Sequence, residues 1–166
     1  DRMKLQEVEW FADRRREIAL QMRAADRKRM VAALKSAHDP LADDYALAER
    51  IQREVNFSTT YRTDAEQYGR PEHWVEAGKF GDCEDYALLK RAMLRNQGWP
   101  ADKLALCTCW CEDGGYHCVL FVDTDLGGYI LDNRREWPTK PTDLPYRWDS
   151  MLMGGKWYEI RGWHSA

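Results

Sequence analysis

Two glycine-containing turns, Asp113-Gly114-Gly115 and Asp125-Leu126-Gly127-Gly128, cut the second half of the chain into short apolar runs. Turns this tight join only antiparallel neighbours, because a parallel pair needs a crossover of about a dozen residues or more. Strands are therefore predicted at 104–111, 117–123, 128–133 and 157–162. Pro138, Pro141 and Pro145 lie between the last two and predict a surface loop there, since proline brings no N–H to a central ladder.

The first half has a helical period instead. Residues 83–97 place Tyr86, Ala87, Lys90, Met93 and Leu94 at offsets of three and four, and Gly98 follows where a cap belongs. That pattern predicts a helix with its apolar face in the core. Residues 43–55, with Tyr45, Leu47, Ile51 and Val55, predict a second helix, and Arg62 to Gly69 a short third. Residues 3–36 lack Pro and Gly and are rich in helix formers, so a long N-terminal helix, whole or broken once, is expected before the punctuation at His38-Asp39-Pro40. Its apolar positions are interrupted by arginines, which leaves open whether it packs along the domain or reaches a partner. Helices first and an antiparallel sheet after them give an α+β fold, with an N-terminal helical arm over 1–37 and one domain over 41–166. A chain of 166 residues is large enough to bury its own core.

Charge and cysteine usage narrow the partners. A net charge of -3 gives no general case for nucleic acid or a membrane surface. The basic excess is confined to residues 1–37, which hold ten Lys or Arg against six Asp or Glu, so any helix-mediated partner is expected there. No window reaches the roughly 18 apolar residues of a membrane span. No export segment is visible, although a chain that begins at Asp1 can have lost one. Five cysteines, four of them at Cys107, Cys109, Cys111 and Cys118, argue against an all-paired disulfide framework. A reducing cytoplasm fits that pattern, with the periplasm after signal removal as the alternative. Three sulfurs spaced about 6.6 Å apart along one strand face do not converge on tetrahedral zinc, so free thiols are expected.

The segment Gly81-Asp82-Cys83-Glu84-Asp85-Tyr86 puts a thiol at the first turn of the clearest helix. There the helix dipole and free N–H groups favour thiolate, while Asp82, Glu84 and Asp85 oppose it by like charge unless a cation offsets them. His117 opens a strand whose alternation groups it with Val119 and Phe121, and it is the best-placed of the four histidines to act as a base. Asp132 ends the next strand, which a Gly-Gly turn brings back alongside, so its carboxylate can hold one ring nitrogen while the other faces the thiol. Asn133 falls on the opposite face and Asp123 at the far end of the histidine strand. Cys83, His117 and Asp132 thus form a candidate triad for nucleophilic acyl transfer. Its oxyanion donors are the Cys83 main-chain N–H and one of Asn56, Tyr61 or the Trp74 indole.

These residues resemble the bacterial transglutaminase-like cysteine peptidases, the group that includes periplasmic adhesin-cleaving proteases. The similarity begins near Val55-Asn56 and runs through Tyr61, Asp64, Tyr68-Gly69 and Trp74. It sharpens at Gly81 to Ala87 with Lys90, then continues through His117 to Leu131-Asp132-Asn133. It implies a papain-like or transglutaminase-like core with the nucleophile helix packed on an antiparallel sheet, and it implies Cys83, His117 and Asp132 as nucleophile, base and orienting acid. It also implies a calcium site through Asp82, Glu84 and Asp85, whose hard oxygen donors suit that ion. The expected activity is hydrolysis of peptide or amide bonds in a protein or peptide substrate. Two alternatives stay open: a phage or prophage hydrolase acting on peptidoglycan stem peptides, and a catalytically idle virion or assembly module.

Overall fold

The computed structural model describes residues 44–163. The arm expected over 1–37, its helix and the boundary at His38 to Pro40 lie outside the described residues.

Helix α1, Asp44–Ser58, buries Ala48, Ile51, Gln52 and Val55, the spacing of a single helical face. A short parallel pair, β1 at Thr60–Tyr61 and β2 at Phe80–Gly81, brackets helix α2 at Asp64–Tyr68. Thr63 and Glu66 start α2 with a reciprocal capping box, in which Thr63 N–H donates to Glu66 Oε2 at 2.9 Å. Helix α3, Cys83–Asn96, ends at cap residue Gln97, and Gly98 follows at φ 87.

Five antiparallel strands complete the domain: β3 at Leu104–Trp110, β4 at Tyr116–Thr124, β5 at Gly127–Leu131, β6 at Arg147–Met153 and β7 at Lys156–Glu159. Their order across the sheet is β5-β4-β3-β6-β7. The α+β expectation is met, with α3 laid on β4 and α1 packed on α3.

One expectation needs correction. The three prolines do lie in a loop, which contains a short 3₁₀ turn at Pro141–Asp143, but β6 starts just after Pro145 and pairs directly with β3. Trp148, Ser150 and Leu152 of β6 are buried in strict alternation. Asp149 and Ser150 dilute the apolar signal. They are accommodated because Thr108 Oγ1 donates to Asp149 Oδ2 at 3.1 Å and meets Ser150 Oγ at 2.8 Å.

The sheet is covered on both faces. Leu106, Leu120, Val122, Leu131 and Leu152 meet Ile51, Val55, Leu94 and Trp99 on the helical side. Ala105, Cys107, Cys109, Val119 and Ile130 meet Leu144, Tyr146 and Trp148 on the other. Six of the seven residues of β3 are buried, so this central strand, covered on both faces, lacks apolar–polar alternation, and Thr108 is its one buried polar residue. No helix of the described residues is long and apolar enough to cross a membrane.

Candidate active site

Gly81 ends β2 at the entry to α3. A side chain there would place its Cβ 2.9 Å from the Cβ of Asp85 and 3.0 Å from that of Ala77. Close approach, not a positive φ, is therefore what demands glycine at this position. Asp82 is the N-cap residue, and its N–H donates to Asp85 Oδ2 at 3.3 Å. Cys83 becomes the first helical residue.

The Cys83 thiol donates to Glu84 Oε2 at 3.1 Å. Burial and the charge of Glu84 push its pKa well above the usual thiol value, while the Cys118 main-chain N–H on the sulfur acts in the opposite direction. Residue 118 directly follows His117, so the thiol lies against the strand that carries the imidazole. Cys118 belongs to the helix-side core with Leu120 and Val122. His117 sits near the start of β4, where the pairing with β5, which begins at Leu120↔Leu131, has not yet started.

The structure brings His117 and Asp132 together. His117 Nε2 lies 2.8 Å from Asp132 Oδ1. A carboxylate accepts only, so Nε2 carries the proton of the neutral ring and Nδ1 is left as the basic nitrogen. Asp132 is fully buried, and Arg134 N–H donates to its Oδ1 at 2.9 Å while Tyr146 O–H donates to its Oδ2 at 2.5 Å. Burial raises its pKa, but the bonds from His117, Tyr146 and Arg134 outweigh this and hold it below the ordinary carboxylate value. The Tyr146 ring also meets the imidazole in a T-shaped contact, with centroids 5.7 Å apart. Asp123 is exposed, and Asn133 is only partly buried. Of the other histidines, His73 packs against the Tyr68 ring at a tilted angle, whereas His38 and His164 lie outside the described residues.

Three carboxylates beside Cys83 converge: ligand oxygens of Asp64, Asp82 and Glu84 all lie within 4.8 Å of one another. Asp64 N–H donates to Asp82 Oδ2 at 3.3 Å, and His73 N–H donates to Asp64 Oδ2. Asp64 Oδ1 and Asp82 Oδ1 are buried without a hydrogen-bond partner. Burial and its acidic neighbours push Asp82 up to about 6, and burial, Asp82 and Glu72 push Glu84 well above the usual range. Buried, mutually repelling hard oxygens with orphaned lone pairs fit a divalent cation of the calcium type. Of the three carboxylates expected as its ligands, Asp82 and Glu84 join this cluster. Asp85 instead turns its oxygens to the N–H groups of Asp82 and Val75, at 3.3 and 3.1 Å.

Sequence reasoning did not assign Asp64 or Tyr146 to the site. Asp64 reads locally as the first residue of a capped helix, and Tyr146 as part of a proline-rich loop. Of the candidate oxyanion donors, Asn56 gives its amide to the carbonyls of Asp132 and Arg135, and the Trp74 indole gives its N–H to Glu72 Oε2 at 2.8 Å. Tyr61, half exposed and in register with Gly81, has its hydroxyl acidity suppressed by burial and by Cys83, Asp82 and Glu84.

The fold is shared with Legionella pneumophila LapG, which superposes with a TM-score of 0.60 at 20% identity over 90% of this chain and 88% of that one. The calcium-bound form of LapG gives 0.60 at 20% identity over 91% of each chain. Its EGTA-treated form gives 0.59 at 20% identity over 90% of this chain and 86% of that one. No curated protein sequence matches the chain. The model of the bacterial transglutaminase-like cysteine proteinases, BTLCP, matches residues 22–164, and the chain is a cysteine-peptidase-like hydrolase belonging to that family.

Proposed function

We propose that the chain cleaves peptide bonds in protein substrates, with Cys83 as nucleophile, His117 as general base and Asp132 as the acid that orients it. The observation that carries this reading is the buried 2.8 Å contact between His117 and Asp132, with Cys83 packed against the core cluster that holds Cys118, the residue after His117 on β4. His117 Nδ1 takes the thiol proton, and the sulfur attacks the scissile carbonyl. The imidazolium then protonates the leaving amine, and water, deprotonated by the same ring, resolves the thioester. The Cys83 N–H at the start of α3 and the Tyr61 hydroxyl are the donors best placed for the developing oxyanion.

Asp64, Asp82 and Glu84 hold calcium in this reading. Bound there, the ion supplies positive charge that compensates the acidic cluster beside the nucleophile. With the ion bound, Glu84 would serve as a ligand and would no longer accept the Cys83 S–H. The calcium-bound state of LapG, a structural relative, supports the choice of ion.

The test is mass spectrometry of a protein library incubated with the full chain, in calcium and in EGTA, with and without a primary amine. New peptide termini that require both Cys83 and calcium are expected. Amine-labelled or cross-linked products in place of free carboxylates overturn hydrolysis. Termini that persist in Cys83→Ala overturn the assigned nucleophile.

A further inference from the structure

Beneath Asp132 lies a polar network that the chemistry above does not use. Gln52, fully buried on α1, donates from Nε2 to the carbonyls of Asp132 and Arg135 at 2.8 and 2.9 Å. One helical turn later, Asn56 Nδ2 donates to the same two carbonyls at 3.1 and 2.8 Å. Gln52 Oε1 accepts from Lys90 Nζ at 2.5 Å. Lys90 is itself fully buried and comes from α3, the helix that Cys83 begins.

Packing does not explain this arrangement. A buried lysine is costly, and methionine fills similar space without a charge. Burial lowers the Lys90 pKa to about 7, against the opposing pull of Asp132. Orientation does explain it. The two carbonyls only accept and the Lys90 amine donates, so the oxygen of the Gln52 amide faces α3 and its nitrogen faces the carbonyls. The paired ladder of β4 and β5 ends at Leu131, so Asp132 lies beyond the strand that would otherwise fix its main chain. The Gln52 and Asn56 amides take over that restraint, together with the Arg135 N–H, which donates to Asp132 O at 3.1 Å. They act on the main chain because the Asp132 carboxylate is already committed to His117, Arg134 and Tyr146.

We infer that Lys90 and Gln52 are positioning residues for the His117–Asp132 pair: Lys90 sets the Gln52 amide, and Gln52 with Asn56 holds the main chain where the Asp132 carboxylate meets the imidazole. The inference rests on the assignment of Cys83, His117 and Asp132 as the reacting groups.

The test compares Lys90→Met and Gln52→Glu in the full chain with wild type and Cys83→Ala. Gln52→Glu keeps an acceptor for Lys90 but removes both amide donors. Circular dichroism reports folding. The proton NMR signal of His117 Nε2–H, identified by its loss in His117→Ala, reports the pair. Both variants are expected to stay folded, to shift or lose that signal, and to lower kcat at least ~10-fold on a cleaved peptide, with KM changed less than ~2-fold. If either variant unfolds, the partly buried Asn56→Ala decides, with a smaller shift of the same signal expected. Folded variants with an unchanged signal and unchanged kcat overturn the inference. A shifted signal together with full turnover in Cys83→Ala leaves the positioning network standing and overturns the nucleophile assignment.

Discussion

His117 and Asp132, from β4 and from the residue after β5, meet at 2.8 Å with the carboxylate sealed from solvent. Asp132→Asn preserves the shape but presents an amide that can also donate, so the ring loses the preference that leaves Nδ1 basic. The expected loss in kcat/KM is roughly 10³-fold to 10⁴-fold, by comparison with the equivalent change in serine proteases. The same carboxylate has a lowered folded-state pKa, so its stabilising contribution is full above the ordinary carboxylate range and is lost as pH falls through the folded value. Asp132→Asn should therefore flatten the acid limb of a plot of Tm against pH. A variant with wild-type turnover removes Asp132 from the mechanism.

Burial pushes Cys83 toward the thiol form, and Glu84 adds to this, accepting the S–H at 3.1 Å. Glu84→Gln in EGTA is expected to raise the rate of Cys83 alkylation by iodoacetamide near pH 7.5, because it removes one of the groups that favour the thiol over the thiolate. Peptide mass spectrometry locates the label. An unchanged or slower rate contradicts this account of the site.

The buried carboxylates at the start of α3 predict an unusual pH dependence of stability. Asp82 is raised to about 6 and Asp85 to about 8, each mainly by burial, so the folded state holds more protons than the unfolded state between the ordinary carboxylate pKa and those values. Stability contributed by these groups is present at low pH and is lost as pH rises. In EGTA, Tm should fall between about pH 4 and pH 7, below the range in which Lys90, with its pKa lowered to about 7, opposes the change. Free calcium at 100 times its Kd should restore about 2.7 kcal/mol, and Asp64→Asn should weaken that gain. A flat or rising Tm in EGTA across the window, or no response to calcium, counts against the cluster as a cation site.

Gly81→Ala places a methyl against Asp85 and Ala77 at contacts of 2.9 and 3.0 Å. Relief requires β2 and the first turn of α3 to separate, carrying Cys83 with them. A cost of about 1 to 3 kcal/mol in urea unfolding is expected, with turnover falling in the folded fraction as well. Wild-type stability and turnover together exclude this contact as a constraint on the nucleophile.

Legibility followed the range of the forces involved. Helix α3 was visible because its capping chemistry and its period lie within the segment itself, and β4 and β5 because a tight glycine turn dictates their pairing. The α+β class and the neighbourhood of His117 and Asp132 followed from these local facts. β6 was hidden because its pairing with β3 crosses a long proline-bearing loop, and because Asp149 and Ser150 are satisfied only by Thr108 on the other strand.

By itself, the order of residues determined where a thiol meets a helix start and which strand returns to the imidazole, since both depend on chain geometry over a few residues. Only the tertiary structure decided that Asp64 joins Asp82 and Glu84 while Asp85 turns to the main chain, and that Tyr146 and the Gln52–Lys90 pair stand behind Asp132. Buried polar groups must find partners wherever the fold supplies them, and those partners come from elements far apart in the chain.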